Sequence, residues 1–414
     1  MVVIMSIPIE IKKQLSSIIK NSRIYKYERT KKYKWKKTNP YTKENLCKNI
    51  CHYYTLTKLE EEYIINDETY RLLLNKLGYL YDVKNEEHLK NINKAACFLD
   101  DILKAVEYID DNLMVSIDNK LSKIDFHCDC IANMHIYLLK VLIKLYFLNF
   151  LDDYYIEQLK IYKDIYSGLF KRVYYYILGI IYINQRSHNK AYTAFLEAHK
   201  KIDSYQDSKG LINTQLMLIY MLKRDYLSMV NLSLEMENYF QNTNNFKRLL
   251  HVYFYLTNYF LIIKSHNMAD IYYKKSIKII HNDKSLKRYY FALEYNKGLN
   301  LFNNYMFNDA LEHMKEALNH TTKPQRKLQI INYIILLMMK LKYSNSDIKS
   351  MIQLGKESYK YGVERDQYLL KYFTFKYDNN SYYRRYAIKK LIPLLRSHPT
   401  NIDILLLIYQ DLYE

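Results

Sequence analysis

Four consecutive residues, His127-Cys128-Asp129-Cys130, form the densest run of metal-ligating types in this 414-residue chain. A structural zinc takes four ligands, usually as two separate pairs. No second Cys/His pair lies near this one, so the run makes half a site at most. Cys47 and Cys51 stand at i, i+4 on one helical face, where small thiols serve as core side chains. His199, His251 and His313 lack a carboxylate at a useful spacing, and the chain has no Gly-rich phosphate loop, nucleophile elbow or HExxH. Catalysis is therefore not expected, and neither is a metal or another cofactor.

A second constellation suits phosphate. Between Arg23 and Lys37, RIYKYERTKKYKWKK, eight residues are Lys or Arg and one is Glu, with Tyr25, Tyr27, Tyr33 and Trp35 interleaved. Basic side chains displace the counterions of a nucleic-acid backbone, and aromatic rings among them add contact surface. The plainer alternative is a solvated basic loop without a ligand. The net charge of +19 is discounted by heavy, joint use of Lys, Asn, Ile and Tyr (47 Tyr). Its distribution says more: residues 1–80 hold sixteen Lys+Arg against eight Asp+Glu.

The elements that follow are short helices. Thr42 is a good N-cap, with Leu46 and Ile50 at i, i+4 behind it. A helix from about Tyr53 turns Leu56 and Leu59 inward, and Tyr53, Tyr54, Thr55, Thr57 and Lys58 outward. A third, from about Asp67, aligns Tyr70, Leu73, Leu74 and Leu77 and ends at Gly78, where a C′ glycine belongs. Two short helices joined tightly and packed on a third make a helix-turn-helix. A first helix is expected at about Ile9–Ile24, with the basic-aromatic stretch inserted between it and Thr42.

Residues 42–78 resemble the repressor-type helix-turn-helix of the peptide-pheromone regulators of Gram-positive bacteria, the Rgg–PlcR–NprR–PrgX group. TKENLCKNIC, LTKLE and the closing LLLNKLG carry the likeness. Two positions depart from it: Lys43 stands where the group has Gln, and Glu62 where it has Gly, which lengthens an acidic run, Glu60-Glu61-Glu62. The resemblance implies DNA binding as a homodimer, with Thr42, Lys43, Tyr53, Tyr54, Thr55, Thr57 and Lys58 facing the duplex, and the inserted basic stretch adds Lys31 and Lys32 as phosphate contacts. It also implies a tetratricopeptide-like array after the DNA-binding part.

Such an array is independently legible. Gly179, Tyr182, Ala191, Phe195 and Ala198 have the spacing of a two-helix repeat, with small residues where the helices cross. The skeleton recurs at Gly298, Leu301, Ala310, Met314 and Ala317, and more weakly around Met217 and Tyr220, around Thr257 and Phe260, and at Leu336, Met339 and Ile348. Repeats then start near 172, 210, 250, 291 and 329, a spacing longer than the usual residue count of about 34. With 7 Gly and 5 Pro, the chain has little turn chemistry for a sheet protein, so an all-α fold is expected: a helix-turn-helix followed by a right-handed solenoid of degenerate helical hairpins. The expected division is 1–80 helix-turn-helix with a basic insertion, 81–165 connecting helices and first degenerate repeats, 166–398 the repeat array, and 399–414 a capping helix. In that last helix Ile402, Leu405, Leu406 and Tyr409 form the apolar stripe, for capping or for a dimer contact.

Repeat register places Tyr176, Asn184, Thr214, His251, Phe254, Asn258, Tyr295, Asn303 and Tyr333 on the inner face of first helices. Asn296 joins them through the family's habit of placing Asn there. Asn pairs with the backbone of an extended peptide and aromatic walls take its apolar side chains, although any single Tyr is more often a packing residue than a ligand contact. The stretch Ile136–Leu151 reads as a buried helix too short to span a bilayer, and five Cys without a disulfide framework point to a reducing cytoplasm. The expectation is a cytoplasmic transcription regulator controlled by a short signalling peptide, with no membrane partner. The alternative is a protein of the same architecture that binds no DNA and sequesters a partner protein under peptide control.

Overall fold

The computed structural model describes residues 6–31, 39–61, 64–148, 151–200, 208–397 and 402–413. These are helical, and an isolated antiparallel bridge between Tyr81 and Asp129 is the only extended pairing among them. The chain divides into two compact units, Met1–Leu232 and Ser233–Glu414.

The first unit begins with α1 (Ile9–Lys31), α2 (Lys43–Cys47), α3 (Tyr53–Glu60) and α4 (Asp67–Lys76). Helix α1 continues to Lys31 instead of stopping near Ile24, so the first half of the basic-aromatic stretch is helix and not an inserted loop. No Gly or Pro interrupts it, and Arg29 and Lys31 suit the negative end of the helix dipole. Lys32 and the rest of the stretch through Lys37 lie outside the described residues, as does Glu62. Thr42 Oγ1 accepts from the Asn45 N–H at 3.2 Å, and Asn66 Oδ1 caps α4 by accepting from Thr69 at 2.8 Å. Leu15, Ile18, Ile19, Leu46, Leu56, Leu59, Leu73 and Leu74 are completely buried together, which is why four short helices can close on one core. Gly78 ends α4 at φ +82, a left-handed turn that only glycine adopts without strain.

There follow α5 (Asn85–Tyr108), α6 (Asp111–Leu121), α7 (Cys130–Leu148) and α8 (Asp153–Ile161). Helix α7 is long and apolar enough to cross a membrane, but most of its apolar window is buried against the rest of the unit. Just before it, Asp129 uses both carboxylate oxygens within the fold. Oδ1 accepts from Ala132 N–H, capping α7, and Oδ2 meets His88 Nδ1 at 2.9 Å and Asn91 Nδ2 at 3.2 Å. No group of three or more metal-ligating side chains converges among the described residues.

Helical hairpins make up the remainder. The first unit contains α9 (Gly168–Asn184), α10 (His188–His199) and α11 (Lys209–Lys223), and the division between units falls within α12 (Tyr226–Asn242). The second unit contains α13 (Phe246–Ile262), α14 (His266–Asn282), α15 (Tyr290–Asn303), α16 (Phe307–His320), α17 (Pro324–Lys340) and α18 (Asn345–Ser358). The same backbone closure ends each first helix: Ser187 N–H donates to the Tyr182 carbonyl, Asp225 to Tyr220, Ser265 to Phe260, Met306 to Leu301 and Tyr343 to Met338. This is the Schellman closure, which needs a left-handed residue. With so few glycines in the chain, Arg186, Arg224, Lys264, Tyr305 and Lys342 take that conformation. The last hairpin corrects the expected register. Its acceptor is Met338, not Met339, because its turn holds one more residue before the second helix is capped by Ser344. A 3-10 turn at Lys284–Tyr289 accounts for one of the long repeat spacings.

Gly179 shows why small residues sit at the helix crossing. A Cβ there would lie 2.5 Å from ring carbons of Phe195, which is fully buried and has no room to retreat. Gly179→Val is expected to cost about 2 kcal/mol through overpacking, read as a lower melting temperature of the full chain. An unchanged melt would mean that α9 and α10 are not pressed together at this point.

The chain closes with α19 (Glu364–Tyr377), α20 (Tyr383–Tyr386), α21 (Ile392–Arg396) and α22 (Ile402–Tyr413). In α22 the buried stripe is Ile404, Leu407 and Ile408, with Leu405 and Tyr409 half-buried; Ile402 and Leu406 face outward, contrary to the expected stripe. Both stripes have helical spacing, and packing against the preceding helices selects between them.

Candidate functional site

The face of α3 that looks away from the core is made by Tyr53 and Tyr54, each about half exposed, and by Lys58, whose Nζ lies 5.1 Å above the Tyr54 ring. Thr55 is half-buried beside them. Lys43 and Thr57 were expected on the same face, but the structure turns them onto each other. Lys43 Nζ is 3.1 Å from Thr57 Oγ1 and 3.2 Å from Glu60, and Thr57 donates to the Tyr53 carbonyl. The cause is Glu60. Its carboxylate is buried at the end of α3, and a buried charge requires cations. Arg23 of α1 supplies two contacts, at 2.5 and 3.0 Å, and Lys43 the third. The acidic run at the end of α3 is therefore smaller than its sequence suggests, with only Glu61 exposed among the described residues.

Two lysines hold the ends of these helices. Lys76 donates to the carbonyls of Asn45, Leu46 and Lys48 at 2.8, 2.9 and 3.2 Å, meeting the unsatisfied carboxyl end of α2. Lys20 donates to the Glu60 carbonyl at 3.1 Å. Thr42 is occupied as the cap of α2, and Lys31 is exposed at the end of α1. On its other flank, α1 reaches the far end of α8: Asn21 donates to the Ile161 carbonyl at 2.9 Å and to Asp164 at 3.2 Å. Helix α1 thus connects the end of α3 to α8 inside one compact unit.

The expected peptide-facing residues separate into three groups. Tyr176, Thr214, Tyr295 and Tyr333 are buried, correcting the expectation that they line an open surface. All occupy the fifth position of their repeats, as does Phe254, which is only half-buried. Tyr333 packs edge-on against Tyr295 and Phe302, Tyr176 lies against Phe195, and Thr214 donates to the Gly210 carbonyl of its own helix. Asn184 and Asn303 are exposed at the ends of α9 and α15. The rest come together in the second unit. His251 stacks on Phe254 along α13, and one turn further Asn258 Oδ1 accepts from Asn300 Nδ2 of α15 at 2.9 Å. Asn300 also donates to the Asn296 carbonyl, and Asn304 to that of Asn300. Asn300 was missed, although Asn296, Asn300 and Asn304 at i, i+4, i+8 are visible as a ladder in the sequence.

The half-buried patch of Phe254, Asn258, Asn296 and Asn300 thus offers amide groups beside a ring on the first helices of two neighbouring hairpins. No protein-family model and no curated protein matches the sequence. Solved structures do match. The apo form of the quorum sensor NprR from B. thuringiensis superposes with a TM-score of 0.61 at 15% identity, over 77% of this chain and 92% of that one. The chain shares the NprR fold. NprR in complex with its cognate peptide NprX gives a TM-score of 0.52 at 15% identity, over 72% of this chain and 89% of that one. A Rap protein complexed with Competence and Sporulation Factor gives 0.51 at 13% identity, over 80% and 97%. These likenesses establish a tetratricopeptide-like helical fold.

Proposed function

We propose that this protein is a transcription regulator that reads DNA with its amino-terminal helices and is controlled by a short peptide held on the first helices of its hairpins. The observation that carries the peptide reading is the cluster of Asn258, Asn296 and Asn300 beside Phe254, in a fold that NprR uses with its cognate peptide NprX. An extended peptide needs partners for its amides, and carboxamides provide both a donor and an acceptor. The DNA reading is supported by the open α3 face of Tyr53, Tyr54, Thr55 and Lys58 beside a basic α1. In this reading residues 1–80 bind DNA, 81–165 connect, 166–398 form the array and 399–414 the cap, with Ile402 and Leu406 available to a second copy. Peptide shifts DNA binding by the difference in its affinity for two arrangements of the array, and α1 passes the change from α8 to α3.

The test is anisotropy titration of the full chain with a duplex from its own promoter region and with random duplex. A dimer reads half-sites about 34–36 Å apart or a multiple of that distance. Lys58→Ala is expected to lose about 1–3 kcal/mol of discrimination, whereas Lys31→Ala weakens both duplexes alike and flattens the salt dependence. Equal loss of discrimination from both substitutions would contradict α3 as the reading helix.

The internal engagement of Lys43 and Thr57 favours a second reading, a protein that sequesters a partner protein under peptide control without binding DNA. Under it, the promoter duplex and random duplex bind equally weakly while peptide binding persists.

A further inference from the structure

The basic-aromatic helix end does not present all of its residues to solvent. A cavity of about 620 Å³ lies in the first unit between the carboxyl half of α1, the Gly78 turn and α8, lined by Lys26, Arg29, Tyr41, Tyr79, Tyr154 and Tyr162 among others. That volume is within the range of small-molecule sites. Lys26 and Arg29 stand three residues apart on α1 and therefore on one face. The Lys26 ammonium donates to the Leu77 carbonyl at 2.5 Å and lies 5.6 and 5.8 Å from the ring centres of Tyr41 and Tyr79. No carboxylate pairs with it among the described residues, and burial lowers its pKa from the usual lysine range. Arg29 donates to the Tyr25 hydroxyl at 3.2 Å and lies 5.9 Å from the centre of that ring. Across the cavity, the Tyr162 hydroxyl donates to Gln158 at 3.0 Å and sits 3.4 Å from that of Tyr79, while the Tyr154 ring is half open. A smaller cavity of about 280 Å³ shares Gly78, Tyr79 and Tyr162.

We propose that this cavity binds a mononucleotide, with its phosphate at Lys26 and Arg29 and its base against the tyrosine rings. Two cations with no carboxylate partner among the described residues call for an anion, because one carbonyl and two ring faces compensate a half-buried ammonium poorly. Several ring faces around the same space call for a flat π-system, which free phosphate lacks. An uncharged aromatic molecule would fill the ring side and leave Lys26 as it is. A mononucleotide joins a multiply charged group to a flat ring system at the scale of this cavity.

The experiment is calorimetric titration of the full chain with AMP, GMP, adenosine, inorganic phosphate and a short single-stranded oligonucleotide. One of the two nucleotides is expected to bind, with adenosine and phosphate each weaker by about tenfold or more. Lys26→Met should weaken that nucleotide by about tenfold or more, and Lys26→Arg should restore it in part. Melting curves accompany each variant. If Lys26→Met fails to fold, Arg29→Gln, at an exposed side chain, carries the same expectation. The proposal is overturned by absence of binding for both nucleotides, by phosphate binding as tightly as the nucleotide, by unchanged affinity in the folded variants, or by tighter binding of the oligonucleotide, which would make the cavity part of a strand path.

Discussion

Glu60→Ala is expected to destabilise the amino-terminal helices by about 3–5 kcal/mol, the cost of removing one partner from a buried ion pair. The Arg23 side chain, 11% exposed, would keep its charge and lose the carboxylate that compensates it. Lys43 would lose its contact with Glu60 as well, and its amine would be free to reach solvent. Because the chain has two compact units, a single melting curve mixes their transitions. Hydrogen exchange over residues 9–77 reads the effect where it arises, as faster exchange in α1, α3 and α4. The double variant Arg23→Met with Glu60→Leu should recover most of the loss, since a packed apolar pair often equals or exceeds a buried ion pair. Native exchange rates in Glu60→Ala would show that the carboxylate is not buried and would reopen Lys43 as a side chain for DNA.

The second large effect concerns the peptide. Asn258→Ala is expected to weaken binding of the cognate peptide by about 1–3 kcal/mol, the cost of leaving a buried amide unpaired, or roughly 5–150-fold. The fold and peptide-free DNA binding should survive, because Asn258 is only half-buried. Asn300→Ala should produce a loss of similar size, and the double variant should lose less than the sum, because the two carboxamides hold each other at 2.9 Å. Asn303→Ala, at the exposed end of α15, tests how far the peptide runs. The measurement is calorimetry with a synthetic peptide taken from a short secreted reading frame beside the gene, with a melting curve for each variant. Unchanged affinity in the Asn258 and Asn303 variants would move the ligand elsewhere, and an unfolded Asn258 variant would mark that residue as packing.

Much of the architecture was legible because it is written in local spacing. Gly179, Ala191 and Ala198 are three or four residues from their large partners Tyr182 and Phe195, and a helix translates such spacing directly into a shared face. The inward stripes of α3 and α4 followed from the same rule, as did the caps at Thr42 and Gly78. The helical hairpins and their order were therefore determined by the sequence alone. What tertiary structure decided was which of the remaining side chains are free. Arg23 and Glu60 are 37 residues apart, and nothing local announces that their pairing draws Lys43 and Thr57 off the α3 face. Tyr176, Thr214, Tyr295 and Tyr333 share a repeat position that register assigns to the inner face, yet each of them is buried while Phe254 at the same position is not. Asn258 and Asn300 meet across 42 residues. Helical period fixes which way a side chain points within its own helix; whether that direction ends in water, a ring or a buried charge depends on helices far away in the chain, through burial and charge pairing that no local spacing encodes.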